Sequence, residues 1–309
     1  MTKSSRAKRP RAVARRDILR AGAVLGGSAL FGGWPARAAQ SGTPRVAALG
    51  WSCAQTVLAL GVVPLAVPEI ERYRRLVVEP KIPAEVQEVG LRSEPNLELL
   101  QRLAPDVVVI DPSLAGAVSR LREIAPVEVF LVRAAGQRPL GLARASTLAL
   151  ARKLGKRAEC EAYLERVDAE MERDRERLHG YDGAPLYIIS EIVRNRALIF
   201  GPTSIYQDVL DRLGLKNAWT GESSIWGHAT VGLETLAAVP EARCVLLSSR
   251  TADIKAIFAL RPMMQSLPFL REERLTMLSE VLFYGGVPSA ERFARLLAER
   301  LPKDRREQG

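Results

Sequence analysis

Pro139-Leu140-Gly141-Leu142-Ala143-Arg144-Ala145-Ser146-Thr147-Leu148-Ala149-Leu150-Ala151-Arg152-Lys153-Leu154 is the stretch on which the architecture turns. Proline suits the first turn of a helix, where its missing N–H has no partner to lose, and Gly155 closes the run. Leu140, Ala143, Leu148, Ala151 and Leu154 spread apolar contact over a helical surface. The segment predicts a single helix of roughly 15 residues, spanning about 23 Å at a rise of 1.5 Å per residue. That is long enough to join two lobes stiffly.

Outward from this helix, both flanks alternate short apolar runs with amphipathic stretches, the pattern of α/β layers with largely parallel sheets. On the N-terminal side, Val46-Ala47-Ala48-Leu49 predicts a strand, Ala54 to Leu60 a helix stopped by Gly61, and Val107-Val108-Val109-Ile110 a buried strand after the Pro105-Asp106 turn. Val127 to Val132 makes another strand. On the C-terminal side, the charged segment Arg157 to Leu178 predicts a solvated helix face, because its signs alternate. Leu186-Tyr187-Ile188-Ile189 and Cys244-Val245-Leu246-Leu247 then repeat the strand scheme.

The halves echo one another. Gln55-Thr56-Val57-Leu58-Ala59-Leu60-Gly61 parallels Gln207-Asp208-Val209-Leu210-Asp211-Arg212-Leu213-Gly214, and Asn96-Leu97-Glu98-Leu99-Leu100 before Val107 parallels Gly232-Leu233-Glu234-Thr235-Leu236 before Val245. The domain organisation expected from this is a leader at 1–38, an α/β lobe at 39–138, a bridging helix at 139–156 and a second α/β lobe at 157–309.

The leader follows from charge. The chain of 309 residues carries a formal net charge of +10, yet nine basic residues and only Asp17 as an acid fall before residue 39, so eight of the ten charges sit there. The remaining body is too nearly neutral to hold a phosphate backbone or an anionic membrane by charge alone, which argues against nucleic acid as a partner. Those 38 residues combine a basic start, the modest apolar stretch Ala21 to Phe31 and the small-residue pattern Ala36-Arg37-Ala38, the parts of an export signal. Arg15-Arg16-Asp17-Ile18-Leu19 resembles a twin-arginine (Tat) signal, read by a receptor for export in the folded state. The expectation is a periplasmic protein, cleaved near Ala38.

Cys53, Cys160 and Cys244 are too few and too scattered for a disulfide framework or a paired-cysteine zinc site, and His179 and His228 are not at ligand spacing. No Gly-x-Gly-x-x-Gly or Walker loop offers a phosphate cradle, and no Gly-x-Ser-x-Gly elbow presents a nucleophile. Neither a resident metal, a cofactor nor catalysis is expected.

Gly90-Leu91-Arg92-Ser93-Glu94-Pro95-Asn96-Leu97-Glu98, then Asn217-Ala218-Trp219-Thr220-Gly221-Glu222-Ser223-Ser224-Ile225-Trp226-Gly227, then Phe283-Tyr284-Gly285, together resemble the ferric hydroxamate siderophore-binding proteins of periplasmic ABC importers. Trp51, Pro80, Gly136-Gln137-Arg138-Pro139-Leu140, Phe200-Gly201-Pro202 and Leu267-Pro268-Phe269 extend the resemblance in order along nearly the whole body. It implies two Rossmann-like α/β lobes joined by one long helix, a shallow ligand cleft between them and little hinge motion. It further implies a monomer that captures a ferric siderophore and delivers it to an ABC permease of the inner membrane, with iron held only inside the siderophore.

On that resemblance Arg92 is the donor to the hydroxamate oxygens, and Trp51, Trp226, Phe283 and Tyr284 wall the cleft, with Trp219 left to the core. Glu98 and Glu234 are the permease-docking carboxylates, one per lobe. The sequence departs from the family pattern at Ile110 and Leu114, where relatives carry a tryptophan and a tyrosine that shares the hydroxamate with the arginine, and at Leu76 and Leu282, which replace tryptophans. Another chelate on the same fold (heme, a cobamide, a catecholate siderophore) therefore stays open as the ligand, and so does a secreted siderophore esterase.

Overall fold

The computed structural model describes residues 42–248 and 262–301; the segment 1–38, expected from its sequence to be an export leader, lies outside the described residues. The first half runs β1 (Val46–Ala48), α1 (Trp51–Ala59), β2 (Ala66–Val67), α2 (Ile70–Leu76), β3 (Gln87–Glu88), α3 (Leu97–Leu103), β4 (Val107–Ile110), a 3-10 turn (Pro112–Ala117), α4 (Val118–Arg122) and β5 (Val127–Val129). Its strands form one parallel sheet in the order β3-β2-β1-β4-β5. This is a doubly wound arrangement whose direction of winding reverses between β1 and β4, the place where such sheets open a crevice at their carboxyl ends. All four residues of β4 are buried, as a strand covered on both faces requires, which is why it reads as an unbroken apolar run.

Then come α5 (Pro139–Lys153), α6 (Arg157–Arg177), β6 (Leu186–Val193), β7 (Arg196–Phe200), α7 (Ile205–Leu213), β8 (His228–Gly232), a 3-10 turn (Leu233–Ala237) and β9 (Arg243–Leu247). After these the described chain continues with α8 (Pro262–Gln265), α9 (Pro268–Arg271), β10 (Leu275–Leu278) and α10 (Val287–Arg300). The second sheet has the order β10-β9-β6-β7-β8. β6, β9 and β10 are parallel, whereas β7 and β8 pair antiparallel beside them. The parallel portion is legible in the sequence and this antiparallel pair is not: the apolar run of β7 is only Ala197–Phe200, β8 has no buried residue, and α7 separates the two in the chain.

The long helix is present as α5. Pro139, Ala143, Thr147 and Ala151 form a stripe at a spacing of four, buried against the helices α6, α7 and α10. Its first turn is held from α7: the Leu140 N–H donates to Asp208 Oδ2 at 2.7 Å, and Arg138 ion-pairs with both Asp208 and Asp211. A helix start needs acceptors for its free N–H groups, and Asp208 supplies one from outside the helix.

The lobes also meet through α10 and α1. Ser289 Oγ donates to Gln55 Oε1 at 3.0 Å, both buried, and Glu79 of the first lobe accepts from Arg292 at 2.7 Å and Arg295 at 2.8 Å. Gly285 permits this approach, since a Cβ there would fall 1.9 Å from Ser289 Oγ and 2.6 Å from Gln55 Nε2. One buried apolar cluster runs from Val46 and Trp51 through Leu150 to Phe200 and Phe293, so core packing continues from lobe to lobe. Separating them would open that packing to water, which favours a fixed relation between the sheets.

Candidate functional site

The loops after the first sheet's strands converge at the crevice. Gly50 follows β1 and lies against Asp111, which follows β4; a Cβ on Gly50 would sit 2.5 Å from Asp111 Oδ2. Trp51 opens α1 from this turn, is 1% exposed, and donates its indole N–H to the Pro68 carbonyl at 3.2 Å. It is therefore a platform beneath the site more than an open wall.

Arg92, in the loop after β3, lies flat on that platform, its guanidinium carbon 3.6 Å from the Trp51 ring centroid. Nε donates to Glu69 Oε2 at 2.6 Å and Nη1 to the Tyr284 hydroxyl at 2.7 Å. A guanidinium has five N–H groups, so most of them stay unused by the protein. Glu69 has left-handed backbone, φ 49°, and also accepts from Arg72 at 2.6 Å. Left-handed backbone at a non-glycine residue costs on the order of 1–3 kcal/mol and persists where surroundings over-determine it; here both arginines and the Glu69 N–H to Gly90 carbonyl bond, 3.0 Å, do so.

Burial pushes the Glu69 carboxyl up, but the hydrogen bonds from Arg92 and Arg72 outweigh it and hold the group below its ordinary range. Burial pulls Arg92 down, and Glu69 and Tyr284 reverse the balance, so its guanidinium is firmer than usual. Burial raises the Tyr284 phenol despite the nearby Arg92 charge, which keeps the hydroxyl protonated and able to donate onward.

From Tyr284 a ladder of rings crosses the second lobe. Phe283 stands edge-on to Tyr284 at 4.7 Å and to His228 at 5.6 Å, and Phe200 meets Phe283 at 5.5 Å. Edge-to-face pairs at these separations are favourable and stiff. Trp226, two residues before His228, is 48% exposed, and Arg133 stacks on it at 4.9 Å.

The sequence model of the periplasmic binding proteins matches residues 46–282 of this chain. The chain belongs to that family. This periplasmic binding protein is 35% identical over 263 residues to the iron(3+)-hydroxamate-binding protein FhuD of Escherichia coli (strain K12), covering 85% of the chain and 88% of the relative. It is 25% identical to the Fe(3+) dicitrate-binding periplasmic protein FecB of the same organism, over 81% of the chain and 82% of that relative. Among solved structures, the Fe3+–Desferal-bound siderophore binding protein FhuD from Vibrio cholerae superposes with a TM-score of 0.79 at 27% identity, covering 84% of this chain and 98% of that one. The catecholate-siderophore binding protein VctP, also from Vibrio cholerae, shares the fold, with a TM-score of 0.64 at 17% identity and coverage of 84% and 95%.

In this periplasmic binding protein Arg92, Trp51, Tyr284 and Phe283 are gathered into one network, while Trp226 stands at its other end, beyond His228. Ile110, Leu114 and Leu282, the positions where aromatic residues are missing, are 0%, 3% and 4% exposed, and Leu76 packs on the core. These aliphatic side chains fill core space. Trp219 packs on the second lobe's core. Glu98 and Glu234 are both exposed, each in the first turn of the helical segment that leads into β4 or β9. β4 lies beside β1 and β9 beside β6, so the two carboxylates occupy matching places in the two sheets.

The site residue missed in the sequence is Arg133. It follows β5 and reaches the second lobe, its Nη1 donating to the Ile225 carbonyl at 2.7 Å. No motif surrounds it in the chain, and 92 residues separate it from its partner. A concavity of about 550 Å³ beside Trp219 lies apart from this network, and its Arg138 is neutralised by Asp208 and Asp211. Among the described residues no group of three or more His, Cys, Asp and Glu gathers to hold a metal ion, and all three cysteines are free and buried.

Proposed function

We propose that this periplasmic binding protein captures a ferric siderophore of the hydroxamate type and delivers it to an ABC permease for iron uptake. The observation that carries the reading is Arg92, flat on Trp51, fixed by Glu69 and Tyr284, with N–H groups left over at a crevice formed by strand carboxyl ends. Hydroxamate oxygens around iron are electron-rich acceptors, and the siderophore completes the metal's coordination by itself. The protein therefore needs donors and apolar walls in place of metal ligands. The 35% identity to a hydroxamate-binding relative over most of both chains supports that ligand class.

Tyr284 takes over the phenolic contact that Leu114 lacks, reaching Arg92 from the opposite lobe. The likeness at and below 25% identity supports only the fold, so heme, cobamide and catecholate ligands rest on no residue of this site. Both curated relatives named above are binding proteins, which supports capture over esterase turnover. The lobes 39–138 and 157–309 flank the bridging segment 139–156, and Glu98 and Glu234 face the two permease subunits.

Tryptophan fluorescence decides the matter. Titration with ferric hydroxamate, ferric catecholate, heme and cobamide ligands, each beside its metal-free form, should show saturable quenching by the ferric hydroxamate alone, with unchanged ligand recovered afterwards. Saturable binding of heme or a cobamide in place of the hydroxamate, or recovery of a hydrolysed siderophore, would overturn the assignment.

A further inference from the structure

The two arginines of the crevice differ in their surroundings. Arg92 is balanced by Glu69, which it touches at 2.6 Å. Arg133 has no carboxylate partner among the described residues; it has the Ile225 carbonyl at 2.7 Å and the face of Trp226 at 4.9 Å, and its Nε is buried with no acceptor. A donor on a charged group that is taken from water and left unmatched is unfavourable in proportion to its burial, and an anion placed alongside removes the deficit. Burial pushes this guanidinium down to about 10, the direction that an unneutralised cation shows. His228, the titratable neighbour, is itself pushed down by burial and then by the Arg133 charge, which favours its neutral form, and an imidazole can in no state neutralise a cation.

Position matters as much as charge. Arg133 comes from the first lobe and rests on residues of the second, at the far end of the ring ladder that begins with Arg92 and Tyr284. A ligand held by Arg92 and lying along Phe283 would bring its periphery towards Trp226 and Arg133. We propose that Arg133 is an anion-selecting subsite of the crevice, which recognises a negatively charged group, such as a free carboxylate, on the siderophore outside its hydroxamate shell. The substrate class is then a ferric hydroxamate of net negative charge. This rests on the ferric-siderophore reading given above.

Three ferric complexes of one linear trihydroxamate test it, with the terminal amine left free, N-acetylated or N-succinylated. Iron coordination is the same in all three, and the net charge is positive, neutral and negative in turn. The wild-type protein should bind the succinylated complex about tenfold or more tighter than the acetylated one, the step of a charge-assisted hydrogen bond, and the free amine most weakly. Arg133→Gln should compress the ratio between the succinylated and the acetylated complex to within about threefold, and Arg133→Lys should keep the order because it keeps the charge. An unchanged series in Arg133→Gln would overturn the inference, while the siderophore reading would stand if Arg92→Ala still weakened all three. Loss of the acetylated complex in both Arg133 variants would assign Arg133 a structural role and also overturn it. Failure of the wild-type protein to bind any of the three would remove both readings.

Discussion

Replacing Arg92 separates ligand binding from folding. Arg92→Ala removes the guanidinium that lies 3.6 Å over Trp51 and donates to Glu69 and Tyr284. On the ligand side, at least one charge-assisted hydrogen bond disappears, worth about 1.5–3 kcal/mol, so Kd should rise about ten- to a hundredfold. On the folding side, Glu69 is only 9% exposed, but Arg72 still pairs with it at 2.6 Å, so the buried carboxylate is not stranded. The stability loss should therefore stay near the combined scale of a cation–π contact and one shared ion pair, about 1–3 kcal/mol, or a few degrees in Tm. Arg92→Lys retains charge but lacks the planar fork, and it cannot stack on Trp51 while bonding both partners; its affinity should fall nearly as far as that of the alanine variant. Tyr284→Phe keeps the ring ladder and removes only the hydroxyl. Fluorescence titration with a ferric trihydroxamate, paired with thermal melts, measures both sides. If Arg92→Ala folds and binds within twofold of wild type, Arg92 is not the ligand donor and the site built around it is wrong.

Glu98→Ala with Glu234→Ala should leave siderophore binding unchanged while lowering uptake, more in the double variant than in either single one, since rim charges act on encounter and register; wild-type uptake at normal abundance would place the docking carboxylates elsewhere. His228 sits below its ordinary value near 6.5, first through burial and then through Arg133. Above that value it is neutral folded and unfolded, whereas as pH falls below it the unfolded chain takes the proton first and stability declines until the folded group titrates. Denaturant unfolding of His228→Gln between pH 7 and 5 should show a shallower decline than wild type, and identical slopes would show that His228 contributes nothing. Arg15→Lys with Arg16→Lys should stop periplasmic accumulation, as read by fractionation of cells; normal export of that variant would exclude the twin-arginine route.

The helical joint and the buried strands were legible because their signals are local. Pro139, the apolar spacing to Leu154 and Gly155 declare α5 without reference to anything distant, and Val107–Ile110 declares β4 by being apolar throughout. The paired segments Gln55–Gly61 and Gln207–Gly214 appear as the helices α1 and α7, and Glu98 and Glu234 take equivalent places for the same reason. Arg92 and its aromatic neighbours came from the resemblance, which carries residue identities but not their contacts. Trp51 could be named as part of the cleft, yet only packing shows it as a buried platform under Arg92. The antiparallel β7–β8 pair is not legible, because β8 has no buried residue to set a period and its partner lies on the far side of α7 in the chain.

Charge shows the division most sharply. The sequence by itself determined how many cations the body has, and that its net charge is small once the leader is set aside. Which of those cations are neutralised was decided only by tertiary structure: Glu69 reaches Arg92 from 23 residues away, Asp208 reaches Arg138 through α7, and no described carboxylate comes to Arg133. Ion pairing falls off within a few ångströms and burial changes its strength severalfold, so partner choice depends on distances that no local pattern encodes.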